Sequence, residues 1–270
     1  MGVITFDGRQ SSAYGIVVEH FPDYTMPKPD YEIIHVPGKN GDIIIDKGSF
    51  QNIERKYEVA LANDPLATGA KKFNELITRL GEWLYPTVGY GRLSDDYDST
   101  HFYMASFQNG LSIKNIENYG ARATVSFNCK PFRYLNIGEQ SISYSTSPST
   151  LNNNVTAFHS MPLLKLKIHA KSTETNLTVA GISVKINTTK ILDRLTGVDR
   201  IVTLDCELQD FYYEPTSGDV INLNDCIKTP QGFPKLLGRT DYIITPQANV
   251  ITFNTTYISK VEVTPKWYTI

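Results

Sequence analysis

This sequence of 270 residues lacks long apolar runs and a large net charge of either sign. No uninterrupted apolar stretch approaches the roughly 20 residues that a membrane-spanning helix needs, so we expect no membrane insertion. The amino terminus lacks the basic segment, apolar core and small-residue cleavage site of a signal peptide. The formal net charge is −2. Because neither half of the chain is basic, we expect no sequence-specific binding of nucleic acid.

Cysteine is also scarce, with only Cys129, Cys206 and Cys226. Three scattered thiols are too few for a disulfide framework or a tetrahedral zinc site, so we expect them to be reduced and buried. The run from Asp95 to Asp98 resembles half of a calcium loop, but the turn glycine and the distal glutamate of that loop are missing. We interpret these carboxylates as solvating the turn before a strand at His101, and we expect no metal.

Catalytic motifs are absent as well. The segment Gly38-Lys39-Asn40-Gly41 lacks the spacing and the Gly-Lys-Ser/Thr ending of a phosphate loop and indicates a turn between strands. There is no Gly-x-Ser-x-Gly nucleophile elbow. A glycosidase stays open as an alternative, because its two carboxylates are paired in space and not in sequence. We predict no enzyme activity and no cofactor.

Strand patterns dominate what is present. From Ala121 to Lys130 every second residue is apolar, which predicts a half-buried strand. The same alternation occurs at 164–171, at 57–61 and near 261–267. Asn109-Gly110 has the chemistry of a tight hairpin turn. The fold is therefore predicted to be mainly β and largely antiparallel.

One segment has the period of a helix. Its apolar residues recur at three and four positions and predict a helix over about 66 to 84, ended by Tyr85-Pro86. Such a lone amphipathic helix must bury its stripe on a sheet or on a neighbouring subunit. For a subunit interface we select the residues of this stripe, namely Phe73, Leu76, Leu80 and Trp83.

A change in composition divides the chain into two domains. The Ser/Thr/Asn/Pro-rich stretch that begins near Ser141 places the boundary between a domain 1–137 and a domain 138–270. The second domain has several short alternating strands separated by Gly, Pro and Asn, which predicts a β-sandwich or jelly roll. The first is β-rich and carries the one amphipathic helix.

Aromatic residues are abundant, with 16 Tyr and 12 Phe. Core and interface packing is the simplest explanation for this surplus, since amphipathic aromatic residues are favoured at interfaces. The alternative is a carbohydrate-binding module for host cell-wall sugars, in which rings of the second domain stack on a saccharide. The residues selected for that contact are Tyr212, Tyr213 and Trp267.

Several local patterns occur in a common order along the chain. In the first half they are Phe6-Asp7-Gly8 with Ser12-Ala13-Tyr14-Gly15-Ile16, then Val36-Pro37-Gly38-Lys39-Asn40-Gly41-Asp42, and Phe127-Asn128-Cys129-Lys130-Pro131-Phe132. In the second half they are Pro230-Gln231-Gly232-Phe233-Pro234, Leu237-Gly238-Arg239-Thr240 and the closing segment from Val261 to Trp267. Together they resemble the distal tail proteins of siphophages, with Thr240-Asp241 in place of the usual Asn.

The resemblance implies a structural protein of the virion tail tip, assembled in the cytoplasm of the bacterial host. It implies a homohexameric ring built by the amino-terminal domains, which leaves a channel for DNA, and a galectin-like outer domain. The implied partners are the tail tube protein, a tail-associated fibre or lysin hub protein, and in some cases a receptor-binding protein.

Overall fold

The protein is described by a computed structural model covering residues 2–62, 70–116, 120–153, 155–156, 158–196, 200–238 and 247–270. About half of it is strand, 49%, against 12% helix, which confirms the mainly β prediction. The chain divides into two compact units, Met1–Tyr134 with Ile270, and Leu135–Thr269. No helix among the described residues is long and apolar enough to cross a membrane.

The first unit contains ten strands and one helix within its described part. They are β1 Ile4–Phe6, β2 Arg9–Gln10, β3 Ile16–His20, β4 Pro29–Ile34, β5 Ile43–Phe50, β6 Ile53–Ala62, α1 Ala70–Leu84, β7 Gly91–Asp95, β8 His101–Ser106, β9 Ile113–Ile116 and β10 Gly120–Leu135. The main sheet has the order β2-β1-β7-β8-β10-β6-β3, and β9 also pairs with β10. Strands β4 and β5 form a separate two-stranded sheet.

The long pairing of β6 with β10 is antiparallel and runs from Ile53 opposite Cys129 to Ala62 opposite Gly120. The predicted alternation is confirmed in both strands, because Tyr57, Val59 and Leu61 are buried, as are the five apolar residues of β10 from Ala121 to Cys129. A period of two places all of these side chains on one face. That face forms the core of the first unit.

The main sheet curls so that the segment before β1 approaches the edge strand β3. Gly2 and Val18 exchange two backbone hydrogen bonds, at 3.2 and 3.0 Å, so Gly2, two residues before β1, pairs with β3 at the far edge. A Cβ atom at position 2 would lie 2.0 Å from the ring of Phe21. A larger residue here would therefore force the Phe21 ring to move.

The connection after β8 differs from the sequence prediction. Asn109-Gly110 does not close a hairpin, because β8 pairs with β7 and β10, whereas β9 pairs with β10. Gly110 also lacks the positive φ that the predicted turn needs. The 16-residue strand β10 is long enough to take both strands as neighbours, and this tertiary pairing replaces the local hairpin.

The second unit has twelve described strands and one short helix. They are β11 Ile142–Tyr144, β12 Ser149–Asn153, β13 Leu163–Ile168, β14 Thr175–Val179, β15 Ile182–Ile186, α2 Thr188–Arg194, β16 Ile201–Asp205, β17 Asp210–Tyr213, β18 Ile221–Asn222, β19 Ile227–Lys228, β20 Gln247–Phe253, β21 Ile258–Thr264 and β22 Tyr268–Thr269. One sheet has the order β11-β21-β13-β16-β17-β18 and the other β12-β20-β14-β15-β19.

A single hydrophobic core lies between these two sheets. Leu164, Leu166 and Val261 come from the first sheet, and Leu177 and Ile251 from the second, all fully buried. Two sheets that share one core form a β-sandwich, as the sequence predicted for this half. Helix α2, which the sequence analysis did not predict, begins where the side chain of Asn187 accepts a hydrogen bond from the Lys190 N–H.

The three cysteines are unpaired and buried, which confirms the prediction for the thiols. Cys129 lies in the core of the first unit, where burial raises the pKa of its thiol to about 12. Cys206 lies in the core of the second unit, where burial also raises the pKa of the thiol.

Candidate functional site

The predicted apolar stripe of α1 faces the sheet of its own unit. Leu76, Leu80 and Trp83 are all buried there, and the Trp83 ring meets Phe127 of β10 edge-on, with centroids 6.3 Å apart. The sequence left two surfaces open for this stripe, a sheet or a neighbouring subunit, and in the structure the stripe packs on the sheet. This corrects the selection of these three side chains for a subunit interface, because they are covered within the unit. Phe73 lies in α1, but its side chain is outside the described residues.

The aromatic residues selected for sugar contact do not form one exposed platform. Tyr213 and Trp267 belong to the buried core of the second unit, and only Tyr212 is partly exposed. A Cβ atom at Gly138 would lie 2.5 Å from the Trp267 backbone nitrogen, so Trp267 lies against a closely packed turn. This corrects the sugar-stacking assignment for Tyr213 and Trp267, since neither ring presents a face to solvent.

The most unusual exposed surface is the β4–β5 hairpin. Its turn contains the Gly38-Lys39-Asn40-Gly41 segment, as predicted, and the register pairs Ile33 with Ile44 and Ile34 with Ile43. Neighbouring residues on a strand point to opposite faces, so both faces of the hairpin carry aliphatic side chains. Ile33 is 63% exposed and Ile44 is 64% exposed. The sequence analysis predicted the turn but not this exposure.

A buried polar cluster lies in the first unit's sheet, between the start of β6 and the strands β7 and β8. Arg55 of β6 donates to the hydroxyls of Tyr57 and Tyr103 at 3.2 and 3.3 Å and pairs with Asp95 at 3.4 Å. Burial acts against the charge of Arg55, but these partners outweigh it and raise its pKa. For the hydroxyl of Tyr103, burial favours the neutral form and raises the pKa to about 12. The cluster therefore holds a charged guanidinium inside the fold.

The acidic run from Asp95 to Asp98 forms the turn between β7 and β8. Asp95 is buried and accepts from the Tyr57 hydroxyl and from the Asp98 N–H, so it does not solvate the turn as expected. Asp98 accepts from Thr100 and lies 2.9 Å from His101 Nδ1. Partial burial opposes ionisation of Asp98, but these contacts hold its pKa below the usual value. No group of three His, Cys, Asp or Glu residues that could hold a metal occurs in the described ranges.

The chain resembles solved phage proteins in three dimensions. It superposes on the SPP1 Dit (gp 19.1) protein, described as a paradigm of the hub adsorption apparatus in phages that infect Gram-positive bacteria, with a TM-score of 0.67, 11% identity and coverage of 97% of this chain and 98% of that one. A chain of the phage P2 baseplate in its activated conformation with Ca gives a TM-score of 0.52, 8% identity and coverage of 97% of both chains.

No protein-family profile and no curated protein sequence matches the chain. The three-dimensional likeness extends over both units, since it covers 97% of the chain. At such low identity it shows the fold: this protein has the β-rich, two-domain fold of these phage hub and baseplate proteins.

Proposed function

We propose that this chain, which shares its fold with a phage hub protein, is a structural hub of a phage tail tip. It forms a homohexameric ring, and the ring joins the tail tube to the adsorption apparatus while leaving a channel for DNA. The fold likeness to SPP1 Dit and to a P2 baseplate chain supports this role over the full length of the chain.

The β4–β5 hairpin is the single observation that carries the ring. An isolated two-stranded hairpin is only marginally stable in water, and this one exposes aliphatic side chains on both faces. Contiguous exposed apolar surface of this kind marks a protein interaction site. Because the described residues leave both faces exposed, a second copy is the partner that every assembling subunit has available.

A ring requires a particular kind of contact. In a closed cyclic assembly one patch on each subunit binds a different patch on the next, so a projecting hairpin suits this geometry. Here the hairpin would donate its aliphatic pairs to the neighbouring copy, and the exposed face of α1 would be available to a neighbour in place of the buried stripe. The unit 1–134 would build the ring, which is the role that the resemblance implies for residues 1–137.

The further partners follow from the position of a hub. One side of the ring would bind the tail tube protein, and the other a tail-associated fibre or lysin hub protein, with a receptor-binding protein held further out. Its location would be the virion tail tip, after assembly in the host cytoplasm. A net charge of −2 suits a channel through which DNA slides, because a basic lining would hold the phosphates. The role is mechanical and not enzymatic.

Imaging with the tail tube protein tests this proposal. The purified chain is mixed with tubes of the tail tube protein from the same virus and examined by negative stain. We expect ring-shaped densities with a central opening at one end of the tubes, and rings of the same diameter free in solution. Tubes whose ends stay bare, together with a chain that forms no rings by itself, would contradict the proposal.

A further inference from the structure

A cavity of about 300 Å³, lined by both polar and apolar side chains, opens in the first unit, apart from the hairpin and from the stripe of α1. Its lining comes from the coil after β3, from Arg55 of β6, from β7 and β8 with the turn between them, and from Arg133 near the end of β10. The charged side chains of the lining are Asp23, Arg55, Asp95, Asp98 and Arg133, and Tyr24 and Tyr97 add aromatic rings. Its volume falls at the lower end of the range for small-molecule sites.

Arg133 brings to this cavity a guanidinium group whose hydrogen bonding is incomplete. Its Nε is buried and has no acceptor among the described residues. Nη2 reaches the carbonyl oxygen of Ile270 only at 3.5 Å, and Nη1 lies 3.7 Å from Asp98 Oδ2, which is beyond hydrogen-bond distance. Because Nε has no accessible surface, a ligand can reach only the Nη groups. The N–H groups of Nη1 make no hydrogen bond to the described residues and can donate to a ligand oxygen.

The charged groups around the cavity decide the charge that such a ligand can have, and Asp98 is the carboxylate paired with Arg133. It stands next to Arg133 and is already engaged by Thr100 and His101, which leaves part of its acceptor capacity for a ligand. Arg55, Asp23 and Asp95 also line the cavity, so an anionic ligand would meet carboxylates and a cationic one would meet guanidinium groups. A neutral ligand with hydroxyl groups fits both, since a hydroxyl accepts from the guanidinium and donates to the carboxylate.

Tyr97 adds an aromatic surface to the same cavity. One side of its ring stacks on Phe21, with centroids 5.6 Å apart and planes 27° apart, yet the residue is 80% exposed. Most of the other side is therefore accessible. The ring of Tyr24 already contacts Arg133, whose guanidinium carbon lies 4.5 Å from the centroid of that ring. An apolar face bordered by polar groups suits the C–H face of a sugar ring.

We propose that this cavity binds a neutral saccharide unit, stacked on Tyr97 with its hydroxyls between Arg133 and Asp98. The site is in the first unit and is different from the Tyr212, Tyr213 and Trp267 set of the second. One chain supplies all of its lining residues, so sugar binding can be measured separately from ring formation.

The test uses the full chain and a panel of glucose, galactose, N-acetylglucosamine and glycerol phosphate, measured by ligand-observed NMR and titration. We expect at least one of the three neutral sugars to bind in the millimolar range, and Tyr97→Ala to weaken this binding about tenfold or more. Tyr97 is exposed, so its substitution should not disturb folding, which circular dichroism checks. Tyr85→Ala, at an exposed tyrosine of the same unit outside the cavity, is the matched control and should bind as the wild type does.

Three results would overturn the proposal. They are the failure of all three neutral sugars to bind, binding that Tyr97→Ala leaves unchanged, and a preference for glycerol phosphate over every neutral sugar. None of them would affect the ring, which is measured without any sugar.

Discussion

Trp83 and Arg9 exchange hydrogen bonds across 74 positions of the chain. The indole Nε1 of Trp83 donates to the carbonyl oxygen of Arg9 at 2.9 Å, and Nε of Arg9 donates to the carbonyl oxygen of Trp83 at 3.1 Å. The exchange fastens the carboxyl end of α1 to β2. The helix is thereby an integral part of the first unit, and its buried stripe should contribute to the stability of that unit.

Leu80→Ala should lower the free energy of unfolding of the first unit by about 2 to 5 kcal/mol, because it leaves a cavity beneath α1. Urea unfolding followed by the fluorescence of Trp83 measures this change. The matched control is Ile77→Ala on the exposed side of the same helix, which should change the free energy by less than about 0.5 kcal/mol. If Leu80→Ala left stability intact and only weakened self-association, α1 would serve a neighbour after all.

Asp95→Ala should destabilise the first unit by about 3 to 5 kcal/mol, since it leaves the guanidinium of Arg55 buried without its carboxylate. The side chains of this pair are only 9% and 8% exposed. Adding Arg55→Met to the variant should recover much of the loss by removing the unpaired charge. Asp42→Ala, which breaks the exposed pair with His35, is the control and should cost less than about 1 kcal/mol. Equal costs for Asp95→Ala and Asp42→Ala would refute this account of the buried pair.

The stability of the first unit should fall as pH rises above about 9. Burial raises the pKa of the Cys129 thiol from its usual 9.0 to about 12 in the folded chain. Between these values the unfolded chain loses this proton and the folded chain keeps it, so the free energy of unfolding decreases by at most about 1.4 kcal/mol per pH unit. Below about pH 9 the group is protonated in both states and the contribution of Cys129 is constant.

Urea unfolding of the wild type and of Cys129→Ala, at about pH 8 and about pH 10, isolates this contribution. The wild type should lose more stability than the variant over this interval. The comparison uses the change with pH within each protein, so a constant cost of the substitution cancels. Parallel pH profiles would show that Cys129 does not titrate differently in the two states.

The sequence predicts the helices and strands of this protein better than it predicts which residues pack against them. Alternation in β10 predicted its buried face, because a period of two is visible in ten residues. The spacing in α1 predicted the stripe but not what covers it, since that depends on tertiary packing. Helix α2 has only seven residues, which is too short to show a period, although the Asn187 cap was present as a signal.

The surfaces proposed to be functional were harder to predict. The run Ile43-Ile44-Ile45 has the composition of a buried strand, and no local feature reveals that the hairpin projects with both faces exposed. The saccharide cavity gave no signal either, because Tyr97, Asp98 and Arg133 come together only through the pairing of the sheet. Local patterns therefore predicted the scaffold, and the candidate sites emerged from contacts between distant segments.

Ring formation through the β4–β5 hairpin is the central claim, and the mass of the protein in solution tests it most directly. Light scattering over a range of concentrations should give the wild type a species of six times the 30.3 kDa mass of the chain. The double variant Ile33→Asp/Ile44→Asp should remain at the mass of one chain with an unchanged circular dichroism spectrum, because carboxylates cannot be buried in an apolar contact. A wild type that stays monomeric at every concentration, or a double variant that assembles as well as the wild type, would contradict the account.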